Sequence, residues 1–429
     1  MKKNVEYIIG LILLIAILAL GKLGLSSPML FFRLIVGLGL GYALTRSYFG
    51  FAGSVNRAYR TGSTKLMRAL MVMFVGTAIV NTCFFIGQDP TQYDLWVNPI
   101  NLGLVLGGIL FGFGMAFSSC CASGVLTDVV TGLPRAGITL IFFGMGVYLG
   151  FPLQSSAPWI TDTIVSTETF SNGVFLPDLF KGDGLGGYLG ASILTIVFAM
   201  IVVWICKVYE DKRKAQNTYT GVDTEFAQEK IYEDKESFKL FSNNTYEKLF
   251  VRPWTLGMGA VVIGSISILL MGVTKAGWGA STPYGFWFGK LLILFGVSPE
   301  SVAAFSHKPV EIFTMPFFKH PINVQNIGII LGTVIALLLA GNLTKTFKEG
   351  LSISLKEILI YAIGGITMGL GTRFSNGCNV GALYTPIANF SLSGWIFLVF
   401  LVAGGIIGNI VYKKLMAKDS CKIQSSETN

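Results

Sequence analysis

GGILFGFGMAFSSCCASG, from Gly107 to Gly124, and GGITMGLGTRFSNGCNVG, from Gly364 to Gly381, are two copies of one element. Nine of the eighteen aligned positions are identical, and the constant offset of 257 residues pairs Cys121 with Cys378. Each copy runs from an apolar, glycine-rich segment into a turn of small residues that carries a thiol. A duplicated element of this kind, in corresponding positions of two halves of a membrane chain, is typical of the substrate path of a transporter.

The composition of the chain is that of an integral membrane protein. Of its 429 residues, 52% are hydrophobic and 13% are charged, and the mean hydropathy is +0.64. These values exclude an ordinary soluble globular domain. We predict an all-α, polytopic membrane protein with ten hydrophobic spans, several of them short for a bilayer core. The predicted spans are 5–24, 29–44, 66–87, 100–117, 136–153, 187–206, 254–274, 324–341, 357–372 and 392–411.

The net charge of +9 comes from basic residues in the short connections between spans. Residues 57–68 include four basic residues and no acidic one, whereas residues 88–99 include two acidic residues and no basic one. Such an asymmetry is typical of cytoplasmic loops that are positively charged, and it requires no nucleic acid as a partner. Basic residues near both ends of the chain predict that both termini are cytoplasmic, in a multi-pass protein of the bacterial inner membrane.

A charged stretch divides the chain into two halves with five predicted spans each. We predict a first repeat at 1–206, a charged cytoplasmic linker at 207–253, a second repeat at 254–412 and a polar cytoplasmic tail at 413–429. Because five is an odd number, a second half that repeats the first crosses the membrane in the opposite sense. The expected architecture is two inverted five-helix repeats with short re-entrant Gly/Cys turns.

A second, weaker pair of segments supports this duplication. TRSYFGFAGSVNR, from Thr45 to Arg57, and TKAGWGASTPYGFW, from Thr274 to Trp287, both follow a glycine-bearing span. Both include a glycine, an aromatic residue, two small residues and a serine, at 50–54 and at 277–281. Each half therefore has two glycine-broken turns.

The thiol turns have the chemistry of a site for a soft anion. Non-helical backbone at membrane depth is tolerated where it lines a cavity, and the free N–H groups of a following half-helix suit an anion. A thiol is polarizable and a weak hydrogen-bond donor, so it suits a sulfur- or selenium-bearing anion better than a hard oxyanion. Cys121 and Cys378 are the predicted binding thiols, and Cys120, aligned with Gly377, is a further candidate. A purely structural role is the alternative for each single cysteine.

Arg373 is a charged residue predicted at membrane depth, five positions before Cys378. Ionisable residues within membrane spans usually have a function, so Arg373 is a candidate for attracting an anion. The alternative is that its side chain extends to the membrane surface.

The same blocks, the second extended to GGITMGLGTRFSNGCNVGALYTPIANFSLSGW, resemble the Gly–Cys signatures of the YeeE/YedE sulfur-transport family, most of all its two-repeat YedE form. The resemblance covers most of the chain apart from the linker and the tail. It implies uptake of thiosulfate or a related sulfur or selenium compound, relayed by cysteines in re-entrant turns. It also implies a small cytoplasmic sulfur-carrier protein of the TusA/YeeD type as a partner. Carried over by motif, the relay thiols are Cys121 and Cys378, and the residues that line the path are Ser118, Gly124, Arg373, Asn376 and Gly381.

The chain departs from the family pattern at one position. Many family members have a further cysteine after the second span, in a pattern like R-x-x-x-C-F, whereas this chain has Gly50 in RSYFGF. The Arg-Asp pair that often follows is replaced by Asn56 and Arg57. One relay thiol is therefore missing, and the resemblance leaves the identity of the ion open.

We predict a transporter and not an enzyme, with no cofactor and no metal. The chain has no nucleotide-binding G-x-x-x-x-G-K-[ST] motif, so passage does not depend on ATP bound to this chain. A membrane sulfurtransferase-type enzyme is one alternative, but neither thiol turn has a neighbouring histidine in the sequence to activate it. A membrane scaffold for a cytoplasmic sulfur carrier is the other.

Overall fold

Apolar helices account for most of the chain in the computed structural model, which describes residues 3–230 and 243–426. Within those ranges, nine helices are long and apolar enough to cross a membrane, and Leu102–Ser118 is a shorter apolar helix. The described residues form no strand beyond two isolated bridges. The prediction of an all-α, polytopic membrane protein is confirmed. Parts of the predicted linker, at 231–242, and the ends of the chain lie outside the described residues.

Each of the ten predicted spans coincides with one of these helices. The helices up to the linker are α1 Lys3–Gly24, α2 Pro28–Arg46, α3 Phe51–Thr61, α4 Lys65–Phe85, α5 Leu102–Ser118, α6 Gly124–Thr131, α7 Leu133–Ser156 and α8 Tyr188–Ala215. The later ones are α9 Asp223–Glu229, α10 Leu256–Thr274, α11 Thr282–Leu294, α12 Pro321–Leu339, α13 Leu355–Phe374 and α14 Leu392–Ser426. Shorter helical segments are Pro158–Thr161, Asn243–Tyr246, Pro299–Ser306, Val310–Thr314, Leu343–Glu349 and Thr385–Ala388.

Several of the long helices begin at a polar capping residue. The side chains of Ser27, Asn101 and Thr255 accept hydrogen bonds from backbone N–H groups in the first turns of α2, α5 and α10. Ser354 forms a capping box with Glu357 at the start of α13. These bonds satisfy N–H groups that a helix leaves without an internal partner, so they define where each span begins.

The two copies of the duplicated element lie against each other, on α5 and α13. A Cβ added to Gly107 would lie 2.8 Å from the carbonyl oxygen of Gly371, and one added to Gly114 would lie 2.5 Å from that of Gly364. Since Gly371 is aligned with Gly114, and Gly364 with Gly107, the contact is reciprocal and the two helices run antiparallel. Backbones this close require glycine, as is common where membrane helices associate tightly.

The other helix contacts are also paired between the halves. The two halves align with α2, α3, α4, α5 and α7 equivalent to α10, α11, α12, α13 and α14, in that order. Under this alignment, the contact between α5 and α14 corresponds to the contact between α13 and α7. In the same way, the contact between α2 and α12 corresponds to that between α10 and α4. The contact between α3 and α14 corresponds to that between α11 and α7. The thiol turns that follow α5 and α13 therefore have equivalent surroundings.

Candidate functional site

The first thiol turn joins α5 to α6. Ser119 follows the end of α5 in the left-handed region, with φ of 57°, and this turns the chain sharply toward Cys121. The Cys121 side chain is buried, and its Sγ accepts a hydrogen bond from the N–H of Gly124 at 3.4 Å. The hydroxyl of Ser123 lies 3.4 Å from the same Sγ. Cys121 is thus held at the N-terminus of a short helix, while the adjacent Cys120 is also buried.

The second thiol turn repeats this conformation. Asn376, which is aligned with Ser119, has φ of 56°. Cys378 precedes a π-helical turn, Asn379–Tyr384, and its carbonyl accepts from the N–H of Ala382 at 2.6 Å. The Cys378 side chain is buried as well. Two left-handed residues at aligned positions therefore direct both thiols into the protein.

An aligned pair of serines holds the two turns in the same way. The Ser118 hydroxyl is 2.8 Å from the carbonyl oxygen of Gly114 and 3.3 Å from that of Cys120. The Ser375 hydroxyl makes the equivalent contacts, 2.7 Å to Gly371 and 3.0 Å to Gly377. The Ser118 hydroxyl thus contacts backbone carbonyls of its own turn, and its place along the path stays a prediction. Ser375 was not singled out, although it is one of the identical positions of the repeat.

Tyr284 contacts the first thiol turn. Its hydroxyl donates to the carbonyl of Ala122 at 2.6 Å, and its ring is buried. Both thiols belong to one cluster of buried side chains. The two cysteines that the sequence paired therefore belong to the same buried cluster as Tyr284, which the sequence did not single out.

A cavity of about 540 Å³ reaches the first thiol turn, and we call it the vestibule. Its lining includes Gly50, Arg57, Arg60, Cys120, Cys121 and Gly124. Cys378 does not line it. The vestibule therefore joins basic side chains to Cys121, whereas Cys378 is buried outside its lining.

Gly50 lies in the wall of the vestibule, at the N-terminus of α3. Its φ of −113° is accessible to every residue type, and a Cβ added there would meet no atom within 4 Å. A side chain at this position would project into open space. The position where many family members have a third cysteine is therefore on the same cavity as Cys121.

The short helix α9 of the linker packs beside the vestibule. The Glu225 carboxylate, which is buried, accepts from Arg57 at 3.0 Å and from the hydroxyl of Ser63. The Gln228 amide donates to the carbonyl of Ser47 at 2.6 Å. This part of the predicted linker is thus attached to the same face on which the vestibule opens.

Arg373 is buried and does not extend to the surface. Its guanidinium group contacts three neutral side-chain oxygens, that of Gln154 on α7 at 3.3 Å and those of Thr282 and Ser281 at the start of α11 at 3.4 and 3.5 Å. Within the described part of the chain, no carboxylate lies within ion-pair distance of it. A buried guanidinium without a counter-ion favours binding of an anion nearby.

Lys308 adds a second positive charge close to Arg373. The Lys308 ammonium lies 5.2 Å from the centroid of the Phe151 ring, and the guanidinium of Arg373 lies 5.5 Å from the same centroid. Burial, and then the nearby charge of Arg373, lowers the pKa of Lys308. Two cations therefore share one aromatic ring beside the second half's thiol turn.

Two further predicted residues pack near the second turn. Asn376 accepts a hydrogen bond from Gln154 at 2.7 Å, which also contacts Arg373. Gly381 lies under the Trp96 ring, so closely that an added Cβ would clash with it. Trp96 was not predicted from the sequence, because it comes from the connection before α5. Among the described residues, no group of three or more His, Cys, Asp and Glu side chains is arranged to hold a metal ion.

Comparison with known proteins identifies the family to which this chain belongs. The family model described as sulphur transport matches residues 46–407, which include both thiol turns. The chain belongs to the sulphur-transport family. Membership in this family makes the protein a membrane transporter and not an enzyme, as the sequence predicted, and it confirms the resemblance to the YeeE/YedE proteins.

Named relatives of this sulphur-transport protein include thiosulfate transporters. The thiosulfate transporter TsuA of Spirochaeta thermophila is 23% identical over 71% of this chain and 76% of its own length. TsuA of Escherichia coli is 22% identical over 86% of this chain and 91% of its own length. The probable transporter YedE of Escherichia coli is 30% identical over 37% of this chain and 38% of its own length.

Proposed function

We propose that this protein imports a small sulfur-containing anion, such as thiosulfate or a related sulfur or selenium compound, and that Cys121 and Cys378 relay it. The observation that carries the proposal is the pair of buried thiols at aligned positions, each in a turn that begins with a left-handed residue and both in one buried cluster with Tyr284. The names of the two thiosulfate transporters support the choice of substrate class.

The chemistry of a neutral thiol suits a relay. A protonated thiol donates a weak hydrogen bond to an anion and gives it up easily, whereas a thiolate repels it. Conduction requires sites that bind the ion without trapping it. A soft sulfur or selenium atom also makes favourable contacts with the polarizable thiol sulfur. Two such sites in succession give the anion a path through an otherwise apolar core.

Positive charge at both ends of this path supports an anionic substrate. Arg373 and Lys308 lie beside the second half's turn, and Arg60 lines the vestibule at the first, where the charge of Arg57 is paired with Glu225. Fixed cations near a pore raise the local concentration of anions. We propose that Arg373 attracts the anion from outside the cell and that the vestibule releases it to the cytoplasm.

The proposed architecture is an inverted repeat. The reciprocal, antiparallel contact between α5 and α13 supports it, as do the paired contacts of the other helices. Under this proposal the two thiol turns approach the membrane centre from opposite faces. The vestibule then opens to the cytoplasm, which is consistent with its basic lining and with α9, part of the proposed cytoplasmic linker, beside it. A cytoplasmic sulfur carrier of the TusA/YeeD type is the proposed acceptor of the imported sulfur.

Uptake in cells tests the relay. Cells that lack other importers are given labelled thiosulfate, selenite or sulfate, and uptake by the wild type is compared with Cys121→Ser and Cys378→Ser. We expect thiosulfate uptake to fall to background in both variants, because a hydroxyl lacks the soft sulfur atom. Cys83→Ser is the matched control, since Cys83 is exposed on α4 and away from both turns. Undiminished uptake by the Cys121 and Cys378 variants at equal protein level would contradict the proposal.

A further inference from the structure

A basic pocket lies where α3 and α8 end, beside Met416, the last residue of the membrane-spanning stretch Leu392–Met416 of α14. Its volume is about 780 Å³, and we define it by its three cationic lining residues, Arg60, Arg213 and Lys413. No aspartate or glutamate of the described chain lines it. The remaining lining residues include the polar side chains of Asn409 and Tyr412.

The charges of the basic pocket are not neutralised by carboxylates. The Arg213 guanidinium donates to the hydroxyl of Thr218 at 2.8 Å and to the carbonyl of Tyr59 at 2.9 Å. The Arg60 guanidinium donates to the amide oxygen of Asn409 and to a backbone carbonyl, each at 2.9 Å. These acceptors are neutral, so they orient the two cations and leave their charge uncompensated. Lys413 adds an exposed ammonium group.

An apolar groove adjoins the basic pocket and shares Tyr59 with it. Its volume is about 500 Å³, and its apolar lining includes Val202, Ile205, Leu398, Val402 and Ile406. Both cavities are built on the same three helices. On α8, Ile205 and Tyr209 line the groove and Arg213, four residues further on, lines the pocket. Because residues four apart lie on one face of a helix, these three side chains form one continuous stripe along α8, which is apolar at Ile205 and cationic at Arg213.

The combination points to an amphipathic anion. A soluble anion needs only a basic pocket, whereas a phospholipid presents a phosphate at the membrane surface and apolar chains directly beneath it. Basic pockets between membrane helices are a common form of site for anionic lipid head groups. Ile205 and Ile406 are partly exposed on the outer surface of the helices, so an acyl chain reaches the groove from the bilayer.

We propose that the basic pocket and the apolar groove together bind one anionic phospholipid. The phosphate lies among Arg60, Arg213 and Lys413, and an acyl chain lies in the groove against Val202 and Val402. This site is separate from the thiol turns and does not depend on the identity of the transported ion. Arg60 also lines the vestibule, so the two sites are neighbours that share one side chain.

Native mass spectrometry of the purified full chain tests this site. Delipidated protein in detergent is titrated with phosphatidylglycerol or with phosphatidylcholine of the same acyl chains. We expect the wild type to retain phosphatidylglycerol and to bind phosphatidylcholine much more weakly. Lys413→Gln should weaken phosphatidylglycerol binding roughly fivefold, because one basic side chain near the membrane surface contributes about 1 kcal/mol of attraction. Ile406→Trp should weaken it by filling the groove while leaving the charges in place.

Two controls separate the possible sources of binding. Lys345→Gln removes an exposed lysine elsewhere on the chain and should leave binding unchanged. Glycerol 3-phosphate tests the head group alone, and binding of this soluble anion as strong as that of the lipid would overturn the proposal. Equal binding of the two lipids would also overturn it. So would unchanged binding by Lys413→Gln, a surface substitution whose folding is checked by its thermal unfolding midpoint.

Discussion

Gly50 shows how one side chain changes the chemistry of the vestibule without changing the fold. The family pattern has a thiol at this position, and the chain has a hydrogen atom instead. The backbone there is extended, and an added side chain meets open space facing the same cavity as Cys121. The wall of the vestibule therefore has room for a thiol at this position.

Gly50→Cys should therefore improve uptake of thiosulfate. One additional neutral hydrogen bond contributes about 1 kcal/mol, so we expect the KM of uptake to fall roughly fivefold. Gly50→Ala is the matched control, because it adds the same Cβ and changes the backbone in the same way without a thiol. The measurement is the initial rate of uptake as a function of thiosulfate concentration. Identical KM values for the alanine and cysteine variants would argue against a thiol site in the vestibule wall.

The sequence predicted the site residues that occur at aligned positions of the duplicated element. Cys121 and Cys378 were found from their alignment, and in the structure both belong to one buried cluster with Tyr284. Tyr284 and Trp96 were not found, because each meets a thiol turn only through tertiary contacts with a distant part of the chain. Hydropathy and spacing carry no information about such contacts. Ser375 is the exception, since its identity with Ser118 was a signal in the sequence.

The helix α5 packs so closely that its glycines are required. A Cβ added to Gly112 would lie 2.1 Å from the carbonyl oxygen of Leu401 on α14, and a backbone carbonyl of a neighbouring helix cannot move away cheaply. Overpacking of a tight interface usually costs about 1–3 kcal/mol. The duplicated glycines thus serve the packing of the elements on which the thiol turns depend.

Gly112→Ala should therefore lower the thermal unfolding midpoint of the purified protein, by an amount that corresponds to about 2 kcal/mol. Gly76→Ala is the matched control on α4, where an added Cβ meets no atom within 4 Å. Alanine is favoured over glycine within a helix by about 1 kcal/mol, so the control should raise the midpoint slightly. A thiol-reactive fluorophore or circular dichroism follows the unfolding. A Gly112→Ala protein as stable as the wild type would show that α5 and α14 separate more easily than their contact indicates.

Hydropathy predicted the positions of the membrane-spanning helices more reliably than the residues at which they begin and end. The predicted span 187–206 coincides with the first part of α8, which continues to Ala215. The charged residues after position 206 were assigned to the linker because a bilayer core excludes them. In the structure Glu210 accepts from Thr64 and Lys214, so the helix continues beyond the apolar segment with its charges paired. The short helix α3 was missed for the opposite reason, since its mean composition is too polar for a span.

At the scale of the whole molecule, an odd or an even number of spans in each half determines whether the two thiol turns face opposite sides of the membrane or the same side. The sequence predicted the opposite orientation of the halves from an odd number of spans and from the distribution of charge. The antiparallel crossing of α5 and α13 agrees with that expectation, because Gly107 meets Gly371 while Gly114 meets Gly364. The orientation relative to the cell follows from neither observation alone and requires a measurement.

Labelling from each side of the membrane makes that measurement. In a background without native cysteines, Ser119→Cys and Asn376→Cys place a reporter at the aligned left-handed residues of the two turns. If the halves are inverted, an impermeant maleimide should label Asn376→Cys in intact spheroplasts and Ser119→Cys in inside-out vesicles. Asp94→Cys and Lys345→Cys are surface controls, both at exposed positions, expected on the outer and the cytoplasmic side respectively. Labelling of both turn reporters from the same side would exclude the inverted repeat, and with it a relay that enters at Cys378 and leaves at Cys121.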